Sequence, residues 1–352
     1  MIYILNPLPN YMVVDKAYKI ATIGSHSALQ ILKGAKDEGF STIVVVTKGR
    51  EKPYQQFRVA DKIITIDSYD DFESVQDELL KENAIIIPHA SFISYMDIDR
   101  IEKLRVPYFG NKKILKWESD RVIEKTWLEK AGLKLPRLFN DPKDIDTPVI
   151  VKFHGAGGGK GYFLAKNYKD FKKKIKLHPN SKKYVMQEYI LGVHMYAHYF
   201  HSPLTGETEL MGFDKRYESN VDSLGRISAR DQMALPKEKV DPSYVIVGNI
   251  PIVVRESFLP RFIKMGEEVV RISKELVPGG LFGPFCLENI MTPDEGIYTF
   301  EISARIVAGT NPYVNGSPYT WLRYDEPMST GRRIAREIKL AIQQNKLNKL
   351  LM

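Results

Sequence analysis

The sequence predicts an α/β domain followed by an α+β part built of two strand-rich lobes. Three observations carry that expectation. Near the N-terminus, apolar runs alternate between strand-like and helix-like periods. In the middle of the chain a glycine-rich loop joins two short apolar strands. Toward the end, two glutamates stand in apolar strands joined by a short turn.

Lys19-Ile-Ala-Thr-Ile23 reads as a strand that breaks at Gly24-Ser25-His26-Ser27, and residues 28–35 then take a helical period. Gly39 stops that helix and residues 41–46 form the next strand. Such a βαβ unit implies a parallel sheet. Residues 62–66, 84–87 and 106–109 continue it, with helices near 70–81 and 97–104. Residues 1–15 form a lead-in segment. A Gly110-Asn-Lys-Lys turn follows, then a helix over about 119–131, with Ser119 or Asp120 as its cap and Gly132 as its stop. Strand-rich regions cover 148–190 and 194–305. In the second, strands are expected near 194–200, 207–213, 226–230, 285–290 and 297–302, with a helix over about 258–276. The segment 329–345 reads as a helix that is mostly surface. The domain boundaries expected are 1–112, 113–190 and 191–352, the last holding the C-terminal helix.

Composition narrows the functional classes. At 352 residues the chain can hold two or three domains with cores. No apolar run approaches the roughly 18 residues of a membrane span, and Met1-Ile-Tyr-Ile-Leu-Asn-Pro lacks the basic region of a secretory signal. A cytoplasmic location is expected. Cys286 is the single cysteine, so no intrachain disulfide can form, and its apolar neighbours suggest a buried thiol. The excess of 51 Lys+Arg over 43 Asp+Glu gives a net charge of +8. These cations are spread along the chain, so anionic small substrates account for them better than nucleic acid does.

The chemistry-bearing residues come in order. Lys125 lies in the helix that precedes Gly132. Lys152 ends an apolar strand, and the loop beyond it holds Gly155, Gly157, Gly158 and Gly159 ahead of Lys160. Glycine lets backbone N–H groups close on phosphate, and lysines supply point charges for the same oxygens. The loop leaves as a strand, not a helix, so it is no Walker loop; a glycine hairpin over a nucleoside triphosphate fits better. Gln187-Glu188-Tyr189-Ile190 ends a strand and leads into a linker that can offer backbone groups to a base edge. Glu288 and Glu301 can be antiparallel neighbours, and two hard oxygen ligands beside phosphates suit magnesium. A strand pair held by a salt bridge, with Arg305 as partner of Glu301, is the alternative. Gly24-Ser25-His26-Ser27, at the carboxyl end of a parallel strand and the start of a helix, suits a nucleotide monophosphate. Ser91 follows a second strand of the same sheet. Asn249, read as following a strand, could address an amide edge or cap a turn.

As an ordered set, Lys125, Lys152, the glycine loop, Gln187 to Ile190, Glu288 and Glu301-Ile-Ser303-Ala-Arg305 resemble the ATP-grasp superfamily. That resemblance implies a Rossmann-like N-terminal domain and a two-lobed ATP-grasp fold. It also implies ATP contacts at Lys125, Lys152, Gly157, Gly158, Gly159, Lys160, Gln187, Glu188, Tyr189 and Ile190. Ser303 stands where many members carry a metal-binding Asn, and His194 lies near the usual place of a ribose-binding carboxylate.

A closer resemblance lies in Ile23-Gly-Ser-His26-Ser-Ala-Leu, Pro88-His-Ala-Ser91-Phe, Arg216-Tyr217-Glu218-Ser219-Asn220, Gly248-Asn249 and Glu301-Ile-Ser-Ala-Arg305-Ile-Val-Ala-Gly309-Thr-Asn311. Together they look like the archaeal formate-dependent 5-formaminoimidazole-4-carboxamide ribonucleotide (FAICAR) synthetase family. The family implies that ATP, formate and 5-aminoimidazole-4-carboxamide ribonucleotide (AICAR) give FAICAR, ADP and phosphate. Carried over by motif, His26, Ser91 and Asn249 are nucleotide-substrate contacts, Glu218 is an ATP-site residue, and Glu288 and Glu301 ligate magnesium or manganese. His26 is also the candidate for handling the amine proton, and Arg305 for stabilising the transferring group. No nucleic acid or membrane partner is expected; a homo-oligomer is. The alternatives are a related ligase using another small acid or amine, and a nucleotide-binding regulatory protein.

Overall fold

The computed structural model describes residues 18–153, 162–178, 183–218, 225–235 and 246–352. The chain divides into two compact units. The first comprises residues up to Lys112 together with Ser329–Met352, and the second Lys113–Met328.

In the first unit, β1 (Lys19–Ile23), β2 (Ser41–Thr47), β3 (Lys62–Ile66) and β4 (Ala84–Ile86) form one parallel sheet in the order β3-β2-β1-β4. Both faces are covered, so β2 reads as a nearly continuous Ile-Val run, buried from Thr42 to Val46. Between strands lie α1 (Ala28–Asp37), α2 (Lys52–Phe57) and α3 (Gln76–Lys81), the last led by a 3₁₀ turn over Tyr69–Val75. After β4 come α4 (Ala90–Tyr95) and α5 (Ile98–Glu102). The fifth strand expected at 106–109 is reduced to single bridges, Tyr108 to Ile86 and Phe109 to Leu351.

Unit two opens with α6 (Lys112–Ser119), where only a turn was expected, and α7 (Arg121–Lys130). Asp120 caps α7, its carboxylate accepting from the N–H groups of Val122 and Ile123. One antiparallel sheet contains β5 (Leu138–Phe139), β6 (Val149–Phe153), β7 (Tyr162–Ala165) and β8 (Tyr184–Glu188), in the order β5-β8-β6-β7. Its apolar face packs on α8 (Tyr168–Ile175) through Val149, Val151, Met186 and Phe171. The second antiparallel sheet contains β9 (Val193–His201) and β10 (Thr208–Glu218). Beyond α9 (Ala229–Ala234) it adds β11 (Ile246–Ile252) and, after α10 (Leu259–Leu276), β12 (Gly283–Met291) and β13 (Ile297–Ser303). The order is β11-β10-β9-β12-β13. The strand expected at 226–230 is instead the approach to α9, whose first turn Ser228 caps by accepting from Asp231 N–H. α11 (Pro318–Tyr324) closes the unit.

Strand alternation sorts the larger sheet into two faces. Ala197, Tyr199, Phe213, Phe285, Leu287 and Ile302 join α10 and α7 in the main core. Trp127 of α7 is fully buried there, and its indole N–H donates to Val269 O at 3.0 Å. The expected first lobe, 113–190, therefore shares its second helix with the larger sheet. The opposite face of that sheet carries polar side chains.

The C-terminal helix α12 (Thr330–Gln343) departs from expectation. It belongs to the first unit, not to the last segment, and it is not mostly surface: Gly331, Ile334, Ala335, Ile338 and Ala341 are buried on one side. Among the described residues no helix is long and apolar enough to cross a membrane.

Candidate functional site

In the second unit, β6 buries Val149 and Val151 and turns Ile150 and Lys152 to the other face. Val185 and Gln187 of β8 stand opposite those two residues. Lys152 and Gln187 thus enter one cleft with Arg121, Glu124 and Lys125 of α7 and with Thr299, Phe300 and Glu301 of β13. The sequence reading expected Lys125, Lys152, Gln187 and Glu301 near one triphosphate; the fold gathers these four. Burial depresses the pKa of Lys152, with Glu301 opposing the shift, and its Nζ lies 5.5 Å from the Phe300 ring centroid. Burial also depresses Lys125, whose ammonium donates to Pro136 O at 3.0 Å.

Glu288 and Glu301 are directly paired across β12 and β13, so both carboxylates leave one face. Next to them the register breaks at a bulge between Glu288 and Asn289. Arg216 of β10 reaches over β9, its guanidinium carbon 4.0 Å from the Tyr196 ring centroid, and donates to Glu288 Oε1. Burial, with the charge of Glu301, pushes the Glu288 carboxyl up to about 7 despite Arg216. Glu288 Oε2 is buried without a hydrogen-bond partner. An orphaned carboxylate oxygen beside a second carboxylate is what a divalent cation would satisfy. Among the described residues no group of three or more His, Cys, Asp or Glu forms a fuller cage. Magnesium needs none, since it keeps waters and takes phosphate oxygens. The residues present fit it.

The alternative reading, a salt bridge from Arg305 to Glu301, is not what the structure holds: the partner of Arg305 is Glu118 of α6, at 2.9 Å. Glu118 also accepts from Ala304 N–H, and Glu124 accepts from Ile302 N–H. Both carboxyl pKa values are raised, by burial first. These two glutamates and Arg216 were missed. Arg216 had a signal, since it alternates with Asp214 along β10, one strand removed from β12; Glu118 had none, because its helix reads as a turn.

In the linker, Glu188 N–H donates to Arg137 O and Tyr189 N–H to Pro148 O, both at 2.8 Å. Those two donors are committed to the protein's own backbone. Ile190 is buried. Asn249 is not after a strand but inside β11, opposite Arg216. Gly157, Gly158, Gly159 and Lys160 lie outside the described residues, as does the side chain of Glu218. Cys286 is buried, and burial raises its pKa well above the usual thiol range.

The first unit holds a separate polar cluster. Its chain runs from β1 outward to β2 and β3, then returns to place β4 on the other side of β1. The carboxyl ends of β1 and β4 therefore flank the topological switch point, where open α/β sheets bind ligands. Ser25 and Ser91 meet there, hydroxyl to hydroxyl at 3.0 Å. The His26 and His89 rings stack with centroids 5.7 Å apart. His89 Nε2 lies 3.0 Å from Ile23 O and must donate, because a carbonyl only accepts. Tyr69 donates to Gly24 O at 2.7 Å and stacks on Tyr95. Arg50, after β2, draws the Tyr95 phenol pKa down. A Cβ at Gly24 would stand 2.3 Å from Val46 Cγ1, which requires glycine. Arg50, Tyr69 and Tyr95 were missed, although a search past the end of each parallel strand reaches all three.

A parallel-sheet unit and a second unit of two antiparallel sheets, with lysines and paired glutamates on the sheets, define an ATP-grasp protein. One structure of similar fold is the biotin carboxylase domain of the Hydrogenobacter thermophilus 2-oxoglutarate carboxylase, in complex with ADP and its magnesium salt (TM-score 0.62, 17% identity, 90% of this chain and 69% of that one). The IMP biosynthesis protein PurP from Thermococcus kodakaraensis matches at TM-score 0.76 with 31% identity over 95% of this chain and 100% of that one. The 5-formaminoimidazole-4-carboxamide-1-(beta)-D-ribofuranosyl 5'-monophosphate synthetase of Pyrococcus abyssi is 56% identical over 347 residues, 96% of this chain and 100% of the relative. Residues 164–352 match a domain of unknown function, DUF1297, and residues 20–139 a protein family of unknown function, DUF1246. The chain belongs to the family of these 5'-monophosphate synthetases.

Proposed function

We propose that this chain is an ATP- and formate-dependent ligase that converts AICAR to FAICAR, releasing ADP and phosphate, in the synthesis of IMP. The geometry that carries this reading is the cleft shared by Lys125, Lys152 and Glu301, with Glu288 standing opposite Glu301. The relatives are named for synthesis of the formaminoimidazole carboxamide ribonucleotide and for IMP biosynthesis, which supports this product.

Phosphoryl transfer asks a protein for positioning and charge neutralisation. Lys125 and Lys152 hold phosphate oxygens, and Gly157, Gly158, Gly159 and Lys160 belong to the same ATP site. Glu288 and Glu301 would hold magnesium, or manganese in its place, and the bound ion would supply charge neutralisation. An oxygen of formate forms a bond to the γ-phosphorus as the bond to ADP breaks. The 5-amino nitrogen of AICAR then attacks the carbon of formyl phosphate, phosphate leaves, and His26 takes the amine proton. Arg305, held by Glu118, stabilises the transferring group. Water must be excluded, since formyl phosphate hydrolyses. His26, Ser91 and Asn249 contact AICAR; Gln187, Glu188, Tyr189, Ile190 and Glu218 complete the ATP site. The enzyme works as a homo-oligomer, which light scattering checks.

Incubation with Mg-ATP, AICAR and labelled formate should put label into the nucleotide, with ADP release that needs both substrates. ADP release supported by another small acid but not by formate would replace formate in this reading. ADP release with neither substrate would remove it.

Ser91→Ala deletes one hydroxyl at the switch point. It should raise KM for AICAR about three- to tenfold and leave KM for ATP unchanged in steady-state assays. A change confined to ATP would take Ser91 out of the nucleotide-substrate site.

A further inference from the structure

On the polar face of the larger sheet, three side chains from adjacent strands form a chain of hydrogen bonds. His198 of β9 lies 2.8 Å from Asp214 Oδ1, and Asn249 Nδ2 of β11 donates to Asp214 Oδ2 at 2.7 Å. His198 and Asp214 are each 1% exposed, whereas Asn249 is half-buried. Each link is diagonal: Asp214 pairs with Tyr196 and Pro251, two residues from His198 and Asn249 respectively. Pro251 is tolerated because β11 is an edge strand.

The chemistry of the middle residue fixes both ends. An ionised carboxylate only accepts. His198 therefore carries its proton on Nε2, and Asn249 must turn its NH₂ inward. The Asn249 Oδ1 then points away from Asp214, and among the described residues it has no protein partner. His198 Nδ1 is buried without a partner, a cost the fold accepts at this place. The 3₁₀ segment Ala308–Tyr313 closes over the pair at Gly309. A Cβ there would stand 2.1 Å from Asp214 Oδ1 and 2.7 Å from His198 Cε1, so only glycine permits the approach. On the other side Asn249 faces Arg216, which binds Glu288. The chain of bonds thus lies on the same sheet face as the paired glutamates.

We propose that Asp214 and His198 are positioning residues that lock the amide of Asn249, so that Oδ1 is presented as an acceptor to an N–H group of the nucleotide substrate. This rests on the reading that Asn249 meets AICAR. A bound amine or carboxamide N–H would complete the amide, whereas a ligand offering only acceptors there would face the wrong atom.

Asp214→Asn is near-isosteric but lets the 214 amide turn either face to its neighbours, so the Asn249 amide is no longer locked. AICAR binding by calorimetry should weaken about tenfold, with KM for AICAR rising in step. The kcat and KM for ATP should stay within about twofold. Asn249→Ala, at a half-exposed edge position, should lose a similar factor. The double variant should be no worse than Asn249→Ala alone, because Asp214 acts through Asn249. Equal AICAR affinity in wild type and Asp214→Asn, or additive losses in the double variant, would overturn the inference while leaving the function intact. Failure of the wild type to bind AICAR at all would overturn the functional reading and this inference with it.

Discussion

Glu288→Gln is expected to lower kcat by about 10²- to 10⁴-fold, the range that several kcal/mol of transition-state charge stabilisation spans. The substitution keeps the side chain's shape and removes one of two facing charges on β12 and β13. Stability should respond in the opposite sense. In the metal-free protein Glu288 is held up to about 7, by burial first. A carboxyl raised in this way keeps its proton in the native state after the unfolded chain has lost it. Its contribution is therefore fully present below the unfolded pKa, about 4.3, and declines as pH rises toward 7. Glutamine mimics the protonated form and escapes that decline. Metal-free Glu288→Gln should thus match or exceed wild type in thermal stability at pH 8, yet lose most of the stabilisation that Mg-ATP gives the wild type. Activity near the wild-type level, or an undiminished Mg-ATP stabilisation, would remove Glu288 from the metal site. A variant that melts far below wild type without metal would instead mark the Arg216–Glu288 pair as the structural element.

Much of this site was legible because strands announce which face each residue takes. Glu288 and Glu301 alternate with Leu287 and Ile302, so two apolar strands and a short turn were enough to expect facing carboxylates, and the register bears that out. Lys152 was legible for the same reason. Helices hid more. Lys112–Ser119 begins inside a Gly-Asn-Lys-Lys stretch that looks like a turn, and its delivery of Glu118 to Arg305 depends on a contact 187 positions away along the chain. The Asp214–Asn249 bond was hidden by β11, whose Gly248 and Pro251 weaken a strand pattern that an edge position tolerates. The alternative salt bridge from Arg305 to Glu301 assumed that strand alternation continues past Glu301, but the chain leaves β13 at Ser303. The C-terminal helix was misjudged because Arg332, Arg333, Arg336 and Lys339 look solvated. Three of them instead reach Glu38 of α1, with Arg332 Nε at 2.8 Å and Arg336 Nη2 at 2.6 Å, while Arg333 pairs with Glu337 at 2.7 Å.

Gly34→Ala should destabilise the first unit by about 1–3 kcal/mol, the usual cost of overpacking, although alanine is the better helix former by about 1 kcal/mol. The sign follows from what the new methyl would meet. At Gly34 a Cβ would stand 2.1 Å from the backbone N of Arg332, and at Gly331 one would stand 2.3 Å from Gln30 O. Backbone atoms cannot rotate aside, so α1 and α12 must separate. Separation draws Glu38 from its cations and exposes apolar surface at Ile31, Leu32, Ile334 and Ile338. Gly331→Ala should cost a similar amount, and the double variant less than the sum, because helices already parted admit the second methyl. Two compact units need not unfold in one transition, so the shift belongs to whichever melting step reports the first unit, as read by hydrogen exchange across residues 28–37. Function should follow. Ser25, His26 and Ser27 lie between β1 and α1, so a displaced α1 moves the switch-point cluster. KM for AICAR should rise, while KM for ATP, whose proposed contacts lie in the second unit, should stay. A melting temperature at or above wild type would show that the helices yield without cost, and would sever the C-terminal helix from the nucleotide site.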